Sequence, residues 1–99
     1  MNVSRWRRAP TSPGEILREE FLVPLSMTQK RQADHLGCDV KVINRIVDGR
    51  TSVSAEMALK LGAAFRTTAK FWLNAQKAVD LHRASSQRLE LPRPVLRAS

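Results

Sequence analysis

Three side chains near the middle of the chain carry the hydrogen-bonding groups that recognise nucleic-acid bases. Lys41, Asn44 and Arg45 lie in the segment DVKVINRIVDG, which begins at Asp39. At about 100° per residue, a helix starting after Asp39 places all three, together with Asp48, on the side opposite its two isoleucines. Arginine and lysine match O6 and N7 of guanine, and asparagine can pair with N6 and N7 of adenine. The spacing predicts a helix face that can bind base edges in a major groove.

The residues around this helix predict the frame that presents its polar face. A helix-turn-helix crosses two helices steeply through a tight turn that often contains glycine. Ala33 is small enough for close crossing, and Gly37 tolerates the positive φ of such a turn. Ile43 and Ile46, three residues apart, would anchor the second helix. An exposed Lys/Asn/Arg face alone is usually only a solvated surface, but within this Ala–Gly–Ile–Ile frame it predicts binding to double-stranded DNA.

Further residues complete the predicted DNA contacts. Thr28 and Gln29 begin the preceding helix, where backbone amides and polar side chains meet phosphates. Val40 can touch a thymine methyl group. Arg50 comes just after the second helix of the pair, the recognition helix, and is another candidate for a phosphate contact. Asp39 also belongs to the predicted DNA-binding set, at the position where it would cap that helix.

Five segments carry helix start or stop signals, and none shows the sustained alternation of strands. The predicted helices begin with the capping residues Ser12, Thr28, Asp39, Ser54 and Thr68. We expect the first to stop at Pro24 and the last near Ala84. The first would bury Ile16, Leu17 and Phe21, and the fourth Met57, Leu61, Ala64 and Phe65. The sequence therefore predicts an all-α fold.

Charge is concentrated at the two ends of the chain. The net charge is +8; residues 1–10 hold three arginines and no acid, and residues 83–99 hold four arginines against one glutamate. We expect a flexible basic N-terminal arm over residues 1–11, a helix-turn-helix DNA-binding domain over 12–84 and a basic C-terminal tail over 85–99. Basic tails alone fit nucleic acid, an anionic membrane surface or an acidic protein.

The sequence also argues against several classes of protein. The start MNVSRWRR is followed by no apolar run, and no stretch approaches the roughly 18 apolar residues of a membrane span. A single cysteine excludes an internal disulfide and suits a reducing compartment, so we expect a cytoplasmic, nucleoid-associated protein with no membrane partner. His35 and Cys38 are too few for zinc. With no nucleophile–base pair and no glycine-rich phosphate loop, we expect no enzyme and no cofactor.

Three segments together resemble the HigA-type antitoxins, a branch of the XRE family of phage-repressor-like helix-turn-helix proteins. They are PGEILREEFLVPL, TQKRQADHLGCDVKVINRIVDGRTSVSAEMALKLGAAF and TTAKFWLNAQKAVDL, which match in order and spacing over about residues 12–82. PGEIL, SAEMALKL and FWLNAQ are the more specific parts, because the helix-turn-helix itself is shared by many regulators. The resemblance implies a five-helix lambda-repressor-like domain.

The resemblance also implies a homodimer that binds a palindromic operator in its own promoter. It further implies a small RelE-like, HigB-type toxin partner that cleaves mRNA and is held inactive in the complex. By position, the start of the second helix contacts phosphates through Thr28 and Gln29, and bases are contacted by Val40, Lys41, Asn44 and Arg45. Three residues depart from the family pattern. Asp39 replaces a common serine or threonine, Cys38 replaces valine, and Gln32 replaces an apolar residue.

Some alternatives remain open at this point. Phe71, Trp72, Ala75 and Val79 of the fifth helix are candidates for dimerisation, which the family favours in this region, yet Phe71 and Trp72 fit core packing equally well. A stand-alone transcriptional repressor would use the same DNA site without a toxin. A toxin-binding interaction module would keep the scaffold with only weak DNA binding.

Overall fold

The computed structural model describes residues 9–96, and within that range it contains helices and turns but no strand. The helices are α1 (Pro13–Ile16), continued without a break by a π-helical segment (Leu17–Leu22), then α2 (Gln29–Leu36), α3 (Val40–Val47), α4 (Ala55–Phe65) and α5 (Ala69–Ser85). The predicted all-α, five-helix fold is confirmed. Residues 1–8 of the expected N-terminal arm and residues 97–99 of the expected tail lie outside the described residues.

Each helix starts at its predicted capping residue. The side-chain oxygen of the cap accepts a backbone N–H two or three residues further on, at 2.8–3.1 Å, in the pairs Ser12–Glu15, Thr28–Arg31, Asp39–Lys41, Ser54–Met57 and Thr68–Phe71. These bonds satisfy amide groups that have no partner inside the helix. Local chemistry therefore fixes where the helices begin.

The first helix differs from the regular α-helix that its periodicity predicts. Residues Leu17–Leu22 are π-helical, and the Val23 amide donates to the carbonyl of Arg18 at 2.9 Å, five residues back. The wider turn brings Leu17 and Leu22, five residues apart, to the same inner face, and both are buried. Of the three predicted core residues here, only Leu17 is fully buried; Ile16 and Phe21 are half-buried.

The core is centred on Trp72, which is fully buried. Its ring centroid lies 5.5 Å from that of Phe21, and Phe21 stacks on Phe65 with centroids 4.4 Å apart. The indole Nε1–H donates to Oγ1 of Thr67 at 2.7 Å, so its polar atom is satisfied. The other buried hydrophobic residues are Leu17, Leu22, Ala33, Ile43, Ile46, Val53, Met57, Ala58 and Leu61. The π-helical segment, α4 and α5 thus share one aromatic cluster.

One polar side chain lies inside this core. Gln32 of α2 is fully buried, and neither its Oε1 nor its Nε2 has a hydrogen-bond partner. Leaving a buried amide unsatisfied costs about 1–3 kcal/mol. Gln32, which stands where the family pattern has an apolar residue, therefore lowers the stability of the core rather than altering the surface.

Candidate nucleic-acid interface

The crossing of α2 and α3 is built on two small residues, as the sequence predicts. Ala33 is 1% exposed, so the two helices approach closely at that point. Gly37 ends α2 in the left-handed conformation with φ 73°, and its amide together with that of Cys38 closes the turn on carbonyls of α2. A left-handed residue here favours glycine because it has no Cβ to clash.

The recognition helix α3 is anchored on one side only. Ile43 and Ile46 are buried at 0% and 4% exposure. Lys41, Asn44 and Arg45 on the opposite side are all exposed. The arrangement that the isoleucine spacing predicts is confirmed, and a cationic face (Lys41, Asn44 and Arg45) projects from the protein.

The other predicted DNA-contacting residues are all at least partly accessible. Val40, at the first turn of α3, is half-buried and leaves part of its side chain accessible. Thr28 is exposed and its Oγ1 accepts the Arg31 amide at the start of α2; Gln29 is half-buried. Arg50 is exposed and follows the end of α3, and its amide donates to the carbonyl of Arg45 at 2.8 Å.

Few acids compete for these cations. The ion pairs found over residues 9–96 join Arg18 to Glu19, Lys30 to Asp34 and Lys60 to Glu56, at 2.6–3.7 Å. None of the three involves the cationic face. Two exposed carboxylates flank the face in sequence: that of Asp39 accepts the Lys41 amide as the helix cap, and that of Asp48 directly follows α3. The face therefore keeps its positive charge free for an external anion.

Trp72 is not at the surface, which corrects its assignment as a dimer contact. Its side chain is enclosed by Phe21, Phe65 and Phe71, the last edge-on with centroids 5.2 Å apart. Between the two interpretations left open by the sequence, core packing holds for Trp72. Phe71 itself is 42% exposed. Ala75 and Val79 are half-buried and remain accessible along α5.

Two residues of α5, Gln76 and Arg83, lie against the loop that follows α3, and no sequence pattern predicts this contact. The side chain of Gln76 accepts the Val53 amide through Oε1 at 3.0 Å, which ties α5 to the loop after α3. Arg83 lies about two turns after Gln76 along α5 and lines a cavity together with Arg50. Contacts between residues 23 or more apart leave no local pattern, so only the tertiary structure reveals them.

The described residues hold neither a metal cluster nor a membrane-spanning helix. Over residues 9–96, no group of three or more histidine, cysteine, aspartate or glutamate residues is placed to hold a metal ion, and His35 and Cys38 do not form one. In the same range, no helix is both long enough and apolar enough to cross a membrane.

Comparison with known proteins points to one class. A transcriptional regulator of Haemophilus influenzae is 46% identical over 74 residues, covering 75% of this chain and 69% of its own. Antitoxin HigA-1 of Vibrio cholerae is 41% identical over 75 residues, covering 76% and 70%. No protein-family model matches the chain.

Solved structures agree with these relatives. The Pseudomonas aeruginosa antitoxin HigA, solved with the higBA promoter, superposes with a TM-score of 0.76 at 39% identity, covering 78% of this chain and 84% of that one. The antitoxin GraA in complex with its operator superposes with a TM-score of 0.75 at 44% identity, covering 81% of each chain. Both were solved with the DNA that they bind.

Proposed function

The chain belongs to the HigA antitoxins, a branch of the helix-turn-helix regulators, and from that premise we propose that it represses its own operon through the cationic face of α3 and neutralises a toxin. The observation that carries the proposal is the one-sided anchoring of α3. Ile43 and Ile46 hold the helix, and Lys41 and Arg45 project away from the fold. A helix presented in this way fits a major groove about 12 Å wide.

Base recognition is assigned to the cationic face. Lys41 and Arg45 would donate to O6 and N7 of guanines, and Asn44 would pair with N6 and N7 of an adenine. The accessible part of Val40 would touch a thymine methyl group. Exposed helix faces of this kind give sequence specificity because each base pair presents a distinct set of donors and acceptors in the major groove.

The DNA backbone would be held by residues at the rim of that face. The start of α2 aims backbone amides and the Thr28 and Gln29 side chains at one phosphate, since helix N-termini favour anions. Arg50 would contact a second phosphate beyond the other end of α3. Such contacts fix the register on the duplex without carrying sequence information. Asp39 keeps its role as the cap of α3, while its charge repels nearby phosphates.

Two protomers would bind one palindromic operator as a homodimer. Half-sites of such an operator lie one helical turn apart, about 34 Å. The accessible side chains of α5, namely Phe71, Ala75 and Val79, are the dimer contacts that we assign. Phe71 supports this assignment, because a 42% exposed aromatic side chain favours an interface. The operator lies in the cytoplasm, which is where we place the protein, associated with the nucleoid.

The toxin partner is inferred from the family, and we propose a small RelE-like, HigB-type protein that cleaves mRNA. The antitoxin would act by binding alone, with no catalytic step and no cofactor of its own. Coexpression with the product of the neighbouring reading frame tests this part. The two proteins should copurify and growth should recover. A neighbouring product that is neither toxic nor bound would instead make the chain a stand-alone repressor.

DNA recognition is tested by fluorescence anisotropy with the chain's own promoter and with a scrambled duplex of equal length. The triple variant K41A/N44A/R45A should lose the preference for the promoter and keep the melting temperature of the wild type. Lys77→Ala, which removes an exposed charge from α5, is the matched control and should bind as the wild type. A triple variant that still prefers the promoter overturns the assignment, and this outcome would favour an interaction module whose DNA contacts lie elsewhere.

A further inference from the structure

A small cavity of about 60 Å³ opens beside the C-terminal end of the recognition helix. Its walls are the start of α1, the end of α3 with the loop that follows it, and the second half of α5. Val79, one of the assigned dimer contacts, also lines it, so the cavity adjoins the proposed dimer surface. Arg50, in the loop, and Arg83, on α5, both contribute to the lining. Two arginines that are 33 positions apart in the sequence thus line one concave site.

The lining has the chemistry of an anion site. Its other polar residues include Ser12, Thr51 and Ser52, whose hydroxyl groups can each donate one hydrogen bond. No aspartate or glutamate lines it. Within residues 9–96, neither Arg50 nor Arg83 takes part in an ion pair. Two arginines without an ion-pair partner, in a lining that also has hydroxyl groups, suit a tetrahedral oxyanion, because the planar guanidinium can donate two parallel hydrogen bonds to phosphate oxygens.

Close packing and hydrogen bonds join the backbone walls of the cavity. Gly14 at the start of α1 packs directly on the backbone of Ile46 and Val47 in α3. Gln76 of α5 accepts the Val53 amide at 3.0 Å, and its Nε2 donates to Asp80 at 3.0 Å. In this second bond the Asp80 carboxylate accepts a hydrogen bond from Gln76, and Asp80 does not line the cavity. Preorganised donors bind an anion with less loss of conformational entropy.

We propose that this cavity, the Arg50–Arg83 site, binds a phosphodiester group of the operator backbone next to the bases that α3 recognises. The inference rests on the proposed DNA binding by α3 and extends it to the last helix. Arg83 acts there as a backbone-contacting residue. The site adjoins the recognition helix, since Ile46 lines it and Arg50 follows the last residue of α3 by three positions. A phosphate held here would fix the end of α3 against the groove.

The test measures operator affinity as a function of salt for the wild type, Arg83→Gln, Arg50→Gln and the double variant. Each phosphate contact adds about 0.9 to the slope of log K against log salt. Because the two arginines share one phosphate, we expect the double variant to lower the magnitude of that slope by about 0.9 and Arg83→Gln to lower it by part of that amount, with promoter and scrambled DNA weakened equally. The double variant should lose less affinity than the two single losses combined, because both residues hold one phosphate. Lys77→Gln, on the same helix but outside the cavity, is the control and should keep the slope.

A second measurement uses protein without DNA. Inorganic phosphate should raise the melting temperature of the wild type and of Lys77→Gln, but not that of Arg83→Gln. If phosphate protects the wild type yet Arg83→Gln leaves the DNA slope unchanged, the cavity binds free phosphate and the operator assignment is wrong. If Arg83→Gln instead dissociates the dimer in sedimentation experiments, the residue belongs to a protomer interface and the proposal is also wrong.

These outcomes remain separate from failure of the proposed function. A wild-type protein that ignores its promoter would refute recognition by α3, and the phosphate protection experiment would still report on the cavity. Conversely, a wild type that binds its promoter with a slope insensitive to Arg83→Gln would keep the proposed function and overturn only the Arg50–Arg83 site.

Discussion

Gly14 packs against the main chain of Ile46, so the first helix begins in direct contact with the recognition helix. A Cβ atom added at Gly14 would overlap the carbonyl oxygen of Ile46 and lie 2.8 Å from that of Val47. Backbone carbonyls of a helix cannot move aside without breaking its hydrogen bonds. The close approach between the two helices therefore requires a glycine at this position of the PGEIL segment.

Gly14→Ala should destabilise the protein by about 3 kcal/mol, the upper end of the usual cost of overpacking, because the obstacle is backbone. Operator affinity should fall as well, since α3 would have to shift. Urea denaturation and anisotropy measure the two effects. Gly37→Ala provides the comparison: a Cβ there meets no atom within 4 Å, and only its φ of 73° is strained, at about 1–2 kcal/mol. A Gly14→Ala protein as stable as the wild type would contradict this packing.

Replacing the buried amide of Gln32 should stabilise the fold. Gln32→Met keeps the length of the side chain and removes two polar atoms that have no partner. The free energy of unfolding should rise by about 1–3 kcal/mol, the cost of an unsatisfied buried amide. Thermal and urea unfolding report the change. The same substitution at Gln87, which is exposed, should have no effect. A loss of stability in Gln32→Met would mean that the amide is satisfied in solution.

Asp39→Ser should separate helix capping from charge at the start of α3. Serine also caps helices, so the hydrogen bond to the Lys41 amide is retained and stability should fall by at most about 1 kcal/mol, through loss of a negative charge at a helix N-terminus. Operator affinity should rise by about 0.5–1 kcal/mol as repulsion from phosphate disappears. Asp39→Ala shares the charge change but loses the cap. Equal operator affinities for Asp39→Ser and the wild type would place this carboxylate away from the DNA backbone.

Arg45→Ala should change specificity at a single operator position. Loss of one bidentate contact to guanine costs about 1–3 kcal/mol against the preferred base and little against the others. Binding to a set of operators with each base varied in turn would show the relaxed position. Arg31→Ala, an exposed arginine of α2, is the control. If every operator position keeps its preference in Arg45→Ala, this side chain does not contact a base.

The predicted helices and the exposed face of α3 came from local rules that the structure bears out. Caps at Thr28 and Asp39 act within two or three residues, and Ile43 and Ile46 need only helical periodicity to point inward. The π-helical turn before Val23 was not predictable, because no local sequence rule distinguishes it from an α-helical turn; in the structure it accompanies the burial of Leu22. Trp72 was ambiguous for a related reason: a large aromatic residue on an amphipathic helix fits either a core or an interface.

The sequence by itself determined where the helices begin, which side of the recognition helix is free, and the family to which the chain belongs, since each depends on neighbouring residues or on their order. The tertiary structure alone decided the burial of Gln32, the tight packing at Gly62, where a Cβ would lie 3.0–3.2 Å from backbone atoms of residues 67–69, and the cavity that Arg50 and Arg83 both line. Each of these depends on segments distant in the chain that come together only when the core forms.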